Sequence, residues 1–302
     1  MPPTAAESSP NQTPLWQPSG ERIARANITR FIECINARRG LSLRDYASLY
    51  EWSIREPAAF WSELARFTDT RARWGDAPVI QDSARPPRTR WFADTEINFA
   101  QNLLRYRDGE PALVFVDERG TRRELCYREL YAQVARIAHG LRDLGVTRGD
   151  RVAAYMPNLP ETIIAMLATT SLGAIWCSCA LEHGAQHAIE RFGPLAPKVL
   201  FTADGYAFAG ERHERLGQVA AALAHLPSVE HVIVTGYLDA RPEISALRGA
   251  RDFAAFGIAC AEIEFVATPF DHPVYIVFAS AAGGPPQGIV HGAGGTLLQH
   301  QK

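Results

Sequence analysis

Lysine is nearly absent from this chain of 302 residues. Of 31 basic side chains only Lys198 and Lys302 are lysine, leaving 31 − 2 = 29 arginines. A reaction that needs an internal lysine therefore has one candidate, Lys198. An excess of either charge is missing as well, because 31 basic against 33 acidic side chains gives −2. That balance supplies no basic field for nucleic acid. Cysteine is sparse and odd in number: Cys34, Cys126, Cys177, Cys179 and Cys260. Such a set excludes a disulfide framework and reads as structural thiols in a reducing, cytoplasmic setting. Cys177 and Cys179 lack the two-residue spacer of redox and zinc pairs. Glu182, His183 and His187 lie close together, but they lack a third metal ligand and a water-activating partner, so no metal site is expected.

Targeting signals are missing too. Residues 1–20 are rich in Pro, Ser, Thr and Gln and hold no apolar run, so they read as a disordered leader and not a secretory signal. One uncharged stretch, from Thr162 to Leu181, has the length of a membrane span. Its Thr, Ser and Cys content, its acidic flanks Glu161 and Glu182, and its division at Gly173 argue against spanning.

What is present is an ordinary globular balance, 47% hydrophobic and 21% charged, enough for a substantial core. Residues 21–90 read as a helical region and linker. Leu43, Tyr46, Leu49 and Tyr50 recur at helical spacing after Ser42, which suits a cap. A second helix starts at Glu56-Pro57 and carries Phe60, Trp61, Leu64 and Phe67. Gln81 to Arg90, with Pro86-Pro87, is the linker. Beyond it an α/β rhythm sets in. The pattern predicts a hairpin at 111–116 and 123–127, then a helix at 127–144 ending at Gly145. Strand 151–156, helix 160–172, strand 174–179, helix 186–192 and strand 198–202 follow. A helix at 212–225 and strands at 229–235 and 273–279 complete the series. Strands alternating with helices imply a largely parallel, covered sheet.

The most informative segment runs from Tyr275 to His300. An apolar strand enters the small-residue loop Ala279-Ser-Ala-Ala-Gly-Gly-Pro-Pro-Gln287. A short apolar segment and a second glycine cluster follow, and the cluster opens a helix. Loops of this kind let backbone N–H groups surround an anion. The regular nucleotide patterns fail: there is no G-x-x-x-x-G-K-[ST], and Leu297 stands where a dinucleotide fingerprint needs glycine. Spacing alone leaves a phosphate loop and a tight structural turn both open.

The same segment resembles the signature of the adenylate-forming acyl-CoA synthetases. That signature has the form Tyr-Ser-Ser-Gly-Thr-Thr-Gly-x-Pro-Lys, followed by Ile-Val-His-Gly-Ala-Gly-Gly-Thr-Leu-Leu-Gln-His. Ile289 to His300 reproduces the second part in full. Asn98-Phe-Ala-x-Asn-Leu-Leu104, Gly149-Asp-Arg-Val-Ala153, Ser171-Leu-Gly-Ala-Ile-Trp176 and Pro197-Lys-Val-Leu-Phe-x-Ala-Asp-Gly-Tyr206 match in order. The chain is thus similar to the amino-terminal half of that family, nearest to its acetoacetyl-CoA synthetase branch.

The resemblance implies an α/β fold: an incomplete amino-terminal adenylate-forming domain, with largely parallel sheets covered by helices, preceded by a helical accessory segment. Its boundaries are 1–20 for the leader, 21–90 for the accessory region and linker, and 91–302 for the AMP-binding domain. It also implies a two-step reaction. A carboxylate, here acetoacetate, attacks the α-phosphorus of ATP to give acyl-adenylate and diphosphate, and the CoA thiol then displaces AMP. Mg2+ is expected with ATP.

The chain departs from the signature at the loop. Gly-Thr-Thr-Gly becomes Ala281-Ala282-Gly283-Gly284, the lysine becomes Gln287, and Ser280 is the one loop hydroxyl left. The resemblance implies nucleotide or acyl contact for Ser280, Gly283, Gly284, Gln287 and His291, and CoA phosphate contact for Arg191. It assigns no catalytic residue within these 302 positions. His291 also reads as a structural histidine at a strand end, and Arg191 as a solvated helix residue. Family members run to about twice this length, so the reading is of a ligase-like chain defective in adenylation alone. The alternative is a non-catalytic acyl- or CoA-binding or interaction module, with no nucleic-acid or membrane partner. A sheet that stops after 273–279 is expected to leave apolar faces and edges uncovered, and so to be poorly soluble.

Overall fold

Arg151–Met156, Val199–Ala203 and His231–Thr235 are buried over almost every residue. Strands of that kind belong inside a parallel sheet covered on both faces. The computed structural model, which describes residues 15–82, 89–259, 262–279 and 284–302, places them there. Readings that fall on residues 1–14, 83–88, 260–261 and 280–283 lie outside the described residues. They include most of the leader, the middle of the linker, Cys260, Ser280 and Gly283.

The main sheet has seven strands. In chain order they are β1 (Arg151–Met156), β2 (Ile175–Ala180), β3 (Val199–Ala203), β4 (His231–Thr235), β5 (Ala250–Asp252), β6 (Pro273–Ala279) and β7 (Gln287–Gly292). Their spatial order is β5-β4-β3-β1-β2-β6-β7. All neighbours are parallel except β7, which runs antiparallel to β6.

The crossover helices form for reasons legible in their residues. Helix Tyr127–Asp143 buries Leu130, Val134, Ile137, Ala138 and Leu141, one stripe at helical spacing. Helix Pro160–Ser171 has proline at its first position, and Gly173 stands just beyond its end at φ 69°. This helix and β2 together make up the stretch from Thr162 to Leu181 that has the length of a membrane span. Its buried hydroxyls are satisfied inside the helix, where Thr169, Thr170 and Ser171 donate to the carbonyls of Ala165, Met166 and Ala168. Among the described residues no helix is long and apolar enough to cross a membrane.

Asn98 explains why its motif is polar in a buried place. It is 3% exposed. Its amide nitrogen donates to Thr170 O, Ser171 O and Val266 O at 3.2, 2.9 and 2.8 Å. Its amide oxygen caps helix Phe99–Leu103 by accepting from the Gln101 N–H. One side chain thus joins three segments that share no sequence neighbourhood.

By contact density the chain divides into residues 1–69 and 70–302. The division falls earlier than the 90/91 boundary expected from the linker. Ala72–Arg73 pairs with Glu96–Ile97, and Ile80–Gln81 pairs with Arg90–Trp91, so both ends of the linker region are tied into the second unit. The first unit is helical, as its spacing predicts. Phe31, Ile35, Leu49, Trp52, Phe60 and Leu64 form its core. Buried Glu63 holds Arg38, Arg39 and Arg66 at 3.1, 3.0 and 3.3 Å. The helix expected after Ser42 is capped instead by Asp45, in a reciprocal box with Ser48, and spans Tyr46–Arg55.

Two other expectations are corrected. The helix read at 212–225 begins only at Leu216, because Glu211–Glu214 pairs with Gly205–Phe208 as a hairpin. Ala209 and Gly210, both at positive φ, make its turn. The sheet does not stop after 273–279: the short apolar segment after the glycine loop adds the edge strand β7.

Glycine is required where helix Tyr127–Asp143 meets the loop at 253–257. A Cβ on Gly140 would lie 2.7 Å from the Phe256 ring, and one on Gly257 would lie 2.0 Å from the Arg136 carbonyl oxygen. Arg136 locks the seam by donating to the Phe253 and Phe256 carbonyls. Gly257 also has φ +79°, whereas Gly120, at φ +80°, has nothing within 4 Å of a Cβ. Gly257→Ala is therefore expected to cost about 2–5 kcal/mol, from backbone strain plus overpacking. Gly120→Ala is expected to cost about 1 kcal/mol, from strain alone. Urea unfolding of both variants checks the difference.

Candidate functional site

β6 lies parallel to β2, with Tyr275 opposite Trp176 and Ile276 opposite Cys177. Their carboxyl ends therefore open on the same side of the sheet. The chain leaves them in opposite directions. After β2 it enters helix Ala185–Phe192 and crosses to β3, beyond β1; after β6 it turns outward to β7. A crevice at the carboxyl ends of two strands whose connections diverge is the usual ligand position in an open α/β sheet. Ala279, the last residue of β6, and Gln287, the first of β7, pair at that end of the sheet.

The described residues among those proposed from the sequence can be placed against that crevice. Ser280 and Gly283 lie outside the described residues. Gly284 is exposed at the far side of the loop. Gln287 is the first residue of β7, pairs with Ala279 and is exposed. Arg191 sits in the last turn of helix Ala185–Phe192. Its guanidinium lies 5.8 Å from the Phe278 ring centroid, one residue before β6 ends, and donates to the His187 carbonyl at 3.2 Å. The fold thus brings Arg191 and Gln287 to the end of the sheet where the loop is.

His291 is not brought there. It pairs with Tyr275 near the other end of the same hairpin, their rings 5.2 Å apart. Four residues of strand separate it from Gln287, about 13 Å at strand rise. It lines a different cavity of about 510 Å3, with Trp91, Phe270, Tyr275, Thr296 and His300. Burial raises the Tyr275 phenol, against an opposing hydrogen bond with Thr296. The two glycines of Gly294-Gly295 do different work. A Cβ on Gly294 would lie 2.3 Å from the Phe270 ring, while Gly295 meets nothing within 4 Å. The second glycine cluster is therefore a packing contact and a cavity wall, remote from the loop.

Lys198 is committed elsewhere. It immediately precedes β3, at the amino end of the parallel strands, and its ammonium donates to the Gly145 carbonyl at 2.7 Å. It offers the crevice no charge. The thiols supply no nucleophile: burial pushes Cys177 up to about 12, and burial raises Cys179 despite nearby Arg191. His183 and His187 stack at 4.8 Å, and Tyr155 donates to the His183 carbonyl. Among the described residues no group of three His, Cys, Asp or Glu is placed to hold a metal ion.

Two residues of this end of the sheet had not been singled out. Ser178 lies in the middle of β2 yet is exposed; its periodic signal was that of a buried strand. Asp204, just after β3, is 4% exposed. Its carboxylate accepts the backbone N–H groups of Tyr237, Leu238 and Asp239 at 2.8–3.1 Å, fixing the loop after β4. The polar residue following an apolar strand in Ala203-Asp-Gly was the available signal.

The chain was compared with known proteins. The family model described as AMP-binding enzyme matches residues 99–301. The model described as acetyl-coenzyme A synthetase N-terminus matches residues 46–103. Acetoacetyl-coenzyme A synthetase of Rhizobium meliloti (strain 1021) is 39% identical over 293 residues, which is 96% of this chain and 45% of the relative. Malonamoyl-CoA synthetase vrtB of Penicillium aethiopicum is 36% identical over 303 residues, 95% of this chain and 42% of the relative. The solved structure of acetoacetyl-CoA synthetase from Streptomyces lividans matches with a TM-score of 0.91 at 38% identity, over 96% of this chain and 45% of that one. The chain spans less than half the length of these relatives.

Removing the Asp204 carboxylate would take the acceptor from the buried N–H of Leu238 and from the part-buried N–H groups of Tyr237 and Asp239. Asp204→Ala is expected to destabilise the chain by about 2–4 kcal/mol. A denaturant midpoint unchanged from wild type would show that the loop after β4 is held by other contacts.

Proposed function

The chain belongs to the AMP-binding enzyme family, and from that premise we propose that it is the amino-terminal portion of an acid–thiol ligase, weak or inactive in adenylation by itself. The observation that carries the reading is the crevice at the carboxyl ends of β2 and β6, where Ala279 ends β6 and Gln287 opens β7 opposite it. ATP and CoA are the proposed substrates, and a short carboxylic acid is the acyl donor. The relatives named for acetoacetyl and malonamoyl groups support an acid with a carbonyl carbon β to the carboxylate. Acetoacetate is our choice among such acids. No metal cage stands among the described residues, so Mg2+ would come as part of the nucleotide substrate, held by its phosphates. A cytoplasmic setting agrees with the free thiols of Cys34, Cys126, Cys177 and Cys179.

The chemistry of the loop sets the expected weakness. Attack of a carboxylate on the α-phosphorus breaks the bond to diphosphate, and negative charge builds on the leaving oxygens. Backbone N–H groups at Gly283 and Gly284 suit that charge without side-chain help. Ser280 supplies one hydroxyl. Gln287 donates a neutral hydrogen bond where the family signature has an ammonium group. Hydrogen bonds to charged groups are worth about 1.5–3 kcal/mol each, and about 1.4 kcal/mol is tenfold in rate. Two missing hydroxyls and one missing ammonium therefore account for a loss of several orders of magnitude. Arg191 remains as a cation near the β6 end and suits a CoA phosphate.

A second reading has its own observation. The apolar substitution of the loop, Ala281-Ala282, lies between intact flanks. That suits a module that keeps the fold and binds acyl or CoA groups without adenylating.

Acetoacetate-dependent exchange between ATP and diphosphate tests the defect, and titration with ATP and CoA separates the two readings. We expect exchange at least about a thousandfold below an ordinary acyl-CoA synthetase. Gln287→Lys should tighten ATP binding by about tenfold, read by calorimetry. Exchange within about tenfold of an ordinary synthetase would overturn the proposed defect. Millimolar CoA binding with no ATP binding, even in the lysine variant, would favour the second reading.

A further inference from the structure

Helix Tyr46–Arg55 of the first unit carries apolar residues on two sides, and one side packs into the core. Leu49 and Trp52 are buried there with Phe31 and Phe60. Tyr46, Tyr50 and Ile54 lie on the other side, at intervals of four residues, and form one stripe along the helix. They are 66%, 53% and 61% exposed. The rings of Tyr46 and Tyr50 stack at 6.2 Å with 21° between their planes, so they present one continuous aromatic surface. Ala47 and Ser53 border the stripe, three positions to either side of Tyr50. Both are small, which lets another helix approach closely.

The sequence around the stripe is self-complementary about Tyr50. Tyr46 and Ile54 are each four residues from it, Asp45 and Arg55 five, and Arg44 and Glu56 six. Reversing the segment therefore exchanges apolar with apolar, and acid with base. Two copies laid antiparallel across a two-fold axis at Tyr50 set Tyr46 against Ile54, Asp45 level with Arg55 and Arg44 level with Glu56. A parallel pairing sets every one of these charges level with its like, which is repelled. A two-fold dimer needs a patch of the first kind, because the same surface serves both partners. Asp45 is engaged in capping, where its carboxylate accepts the Ser48 N–H at 2.8 Å. Arg44 and Glu56 are both exposed, and they form the outermost pair.

We infer that the stripe docks a second copy of this chain, antiparallel, through helix Tyr46–Arg55. The charge symmetry names the occupant: a copy of this segment supplies an acid for each base and a base for each acid. The tyrosines suit an interface, where the ring is buried and the hydroxyl stays in water at the rim. Three large side chains per copy make a contact smaller than that of a permanent dimer. Association is therefore reversible, with Kd expected at roughly 10–100 µM. The inference does not rest on the proposed reaction, because the stripe belongs to the helical unit and not to the crevice.

Sedimentation velocity of the whole chain is the test, over roughly a hundredfold range of concentration about that Kd. Wild type should pass from monomer to dimer. Tyr50→Glu sets two like charges on the axis and should weaken the dimer at least about tenfold. A charge exchange reads the direction of pairing. R44E and E56R should each weaken self-association at least about threefold, because each sets like charges level. Mixed in equal amounts, the two should associate as well as wild type, because every outer pair across the axis is then opposite in sign. All three positions are exposed, and far-UV circular dichroism reads whether the helices are intact. The mixing result decides the matter even if Tyr50→Glu loses its helix. A wild-type chain that stays monomeric across the range overturns the inference. So does a dimer that folded Tyr50→Glu leaves unchanged, or one in which the mixed variants associate no better than each alone.

Discussion

The pairing of β6 with β2 is the contact on which the rest of this structure depends. Tyr275 opposite Trp176 and Ile276 opposite Cys177 fix where β6 enters the sheet. A parallel neighbour there sends the chain out at the carboxyl end, into a crevice from which β2 departs the other way. β7 returns antiparallel from that end, with Gln287 opposite Ala279. Support reaches β2 at both of its ends. Asn98 holds the carbonyls at the end of helix Pro160–Ser171, just before β2 begins. The Tyr155 hydroxyl holds the His183 carbonyl just after β2 ends.

The same hairpin separates two groups of residues that lie within a few positions of each other in sequence. Gln287 and the loop stand at the carboxyl end, and His291 with Gly294-Gly295 stand at the amino end. Strand geometry does this: in extended chain, four residues reach about as far as nine residues of helix. The glycine-rich appearance of both segments hides unlike causes. The loop has the composition that the proposed phosphate contact asks for, whereas Gly294 needs room for the Phe270 ring.

Much of the architecture was legible because its signals are physical and local. Proline at the start of helix 160–171 and glycine after it, the apolar stripe from Leu130 to Leu141, and the buried runs of β1 and β3 each follow from spacing and burial. The hairpin at 205–214 was hidden because its residues, Glu211-Arg-His-Glu214, carry no alternating apolar signal and precede a real helix. Asp45 displaced Ser42 as a cap because Ser48 stands where a reciprocal bond can form. Of the site, the loop was visible as composition. The distance between Gln287 and His291, and the exposure of Ser178, were not, since both depend on which strands become neighbours and what covers them. The charge deficit was visible throughout: two lysines, one anchored to the Gly145 carbonyl at the wrong end of the sheet.

We propose that nucleotide meets this chain at the carboxyl ends of β2 and β6, through backbone more than side-chain charge. The direct measurement is an amide-resolved NMR titration of the isotopically labelled chain with ATP. The account gives shift changes confined to residues 279–287 and to the segment 178–184 after β2, with His291 and His300 unmoved. Changes centred on the cavity at Trp91, His291 and His300, with the loop amides silent, would contradict it.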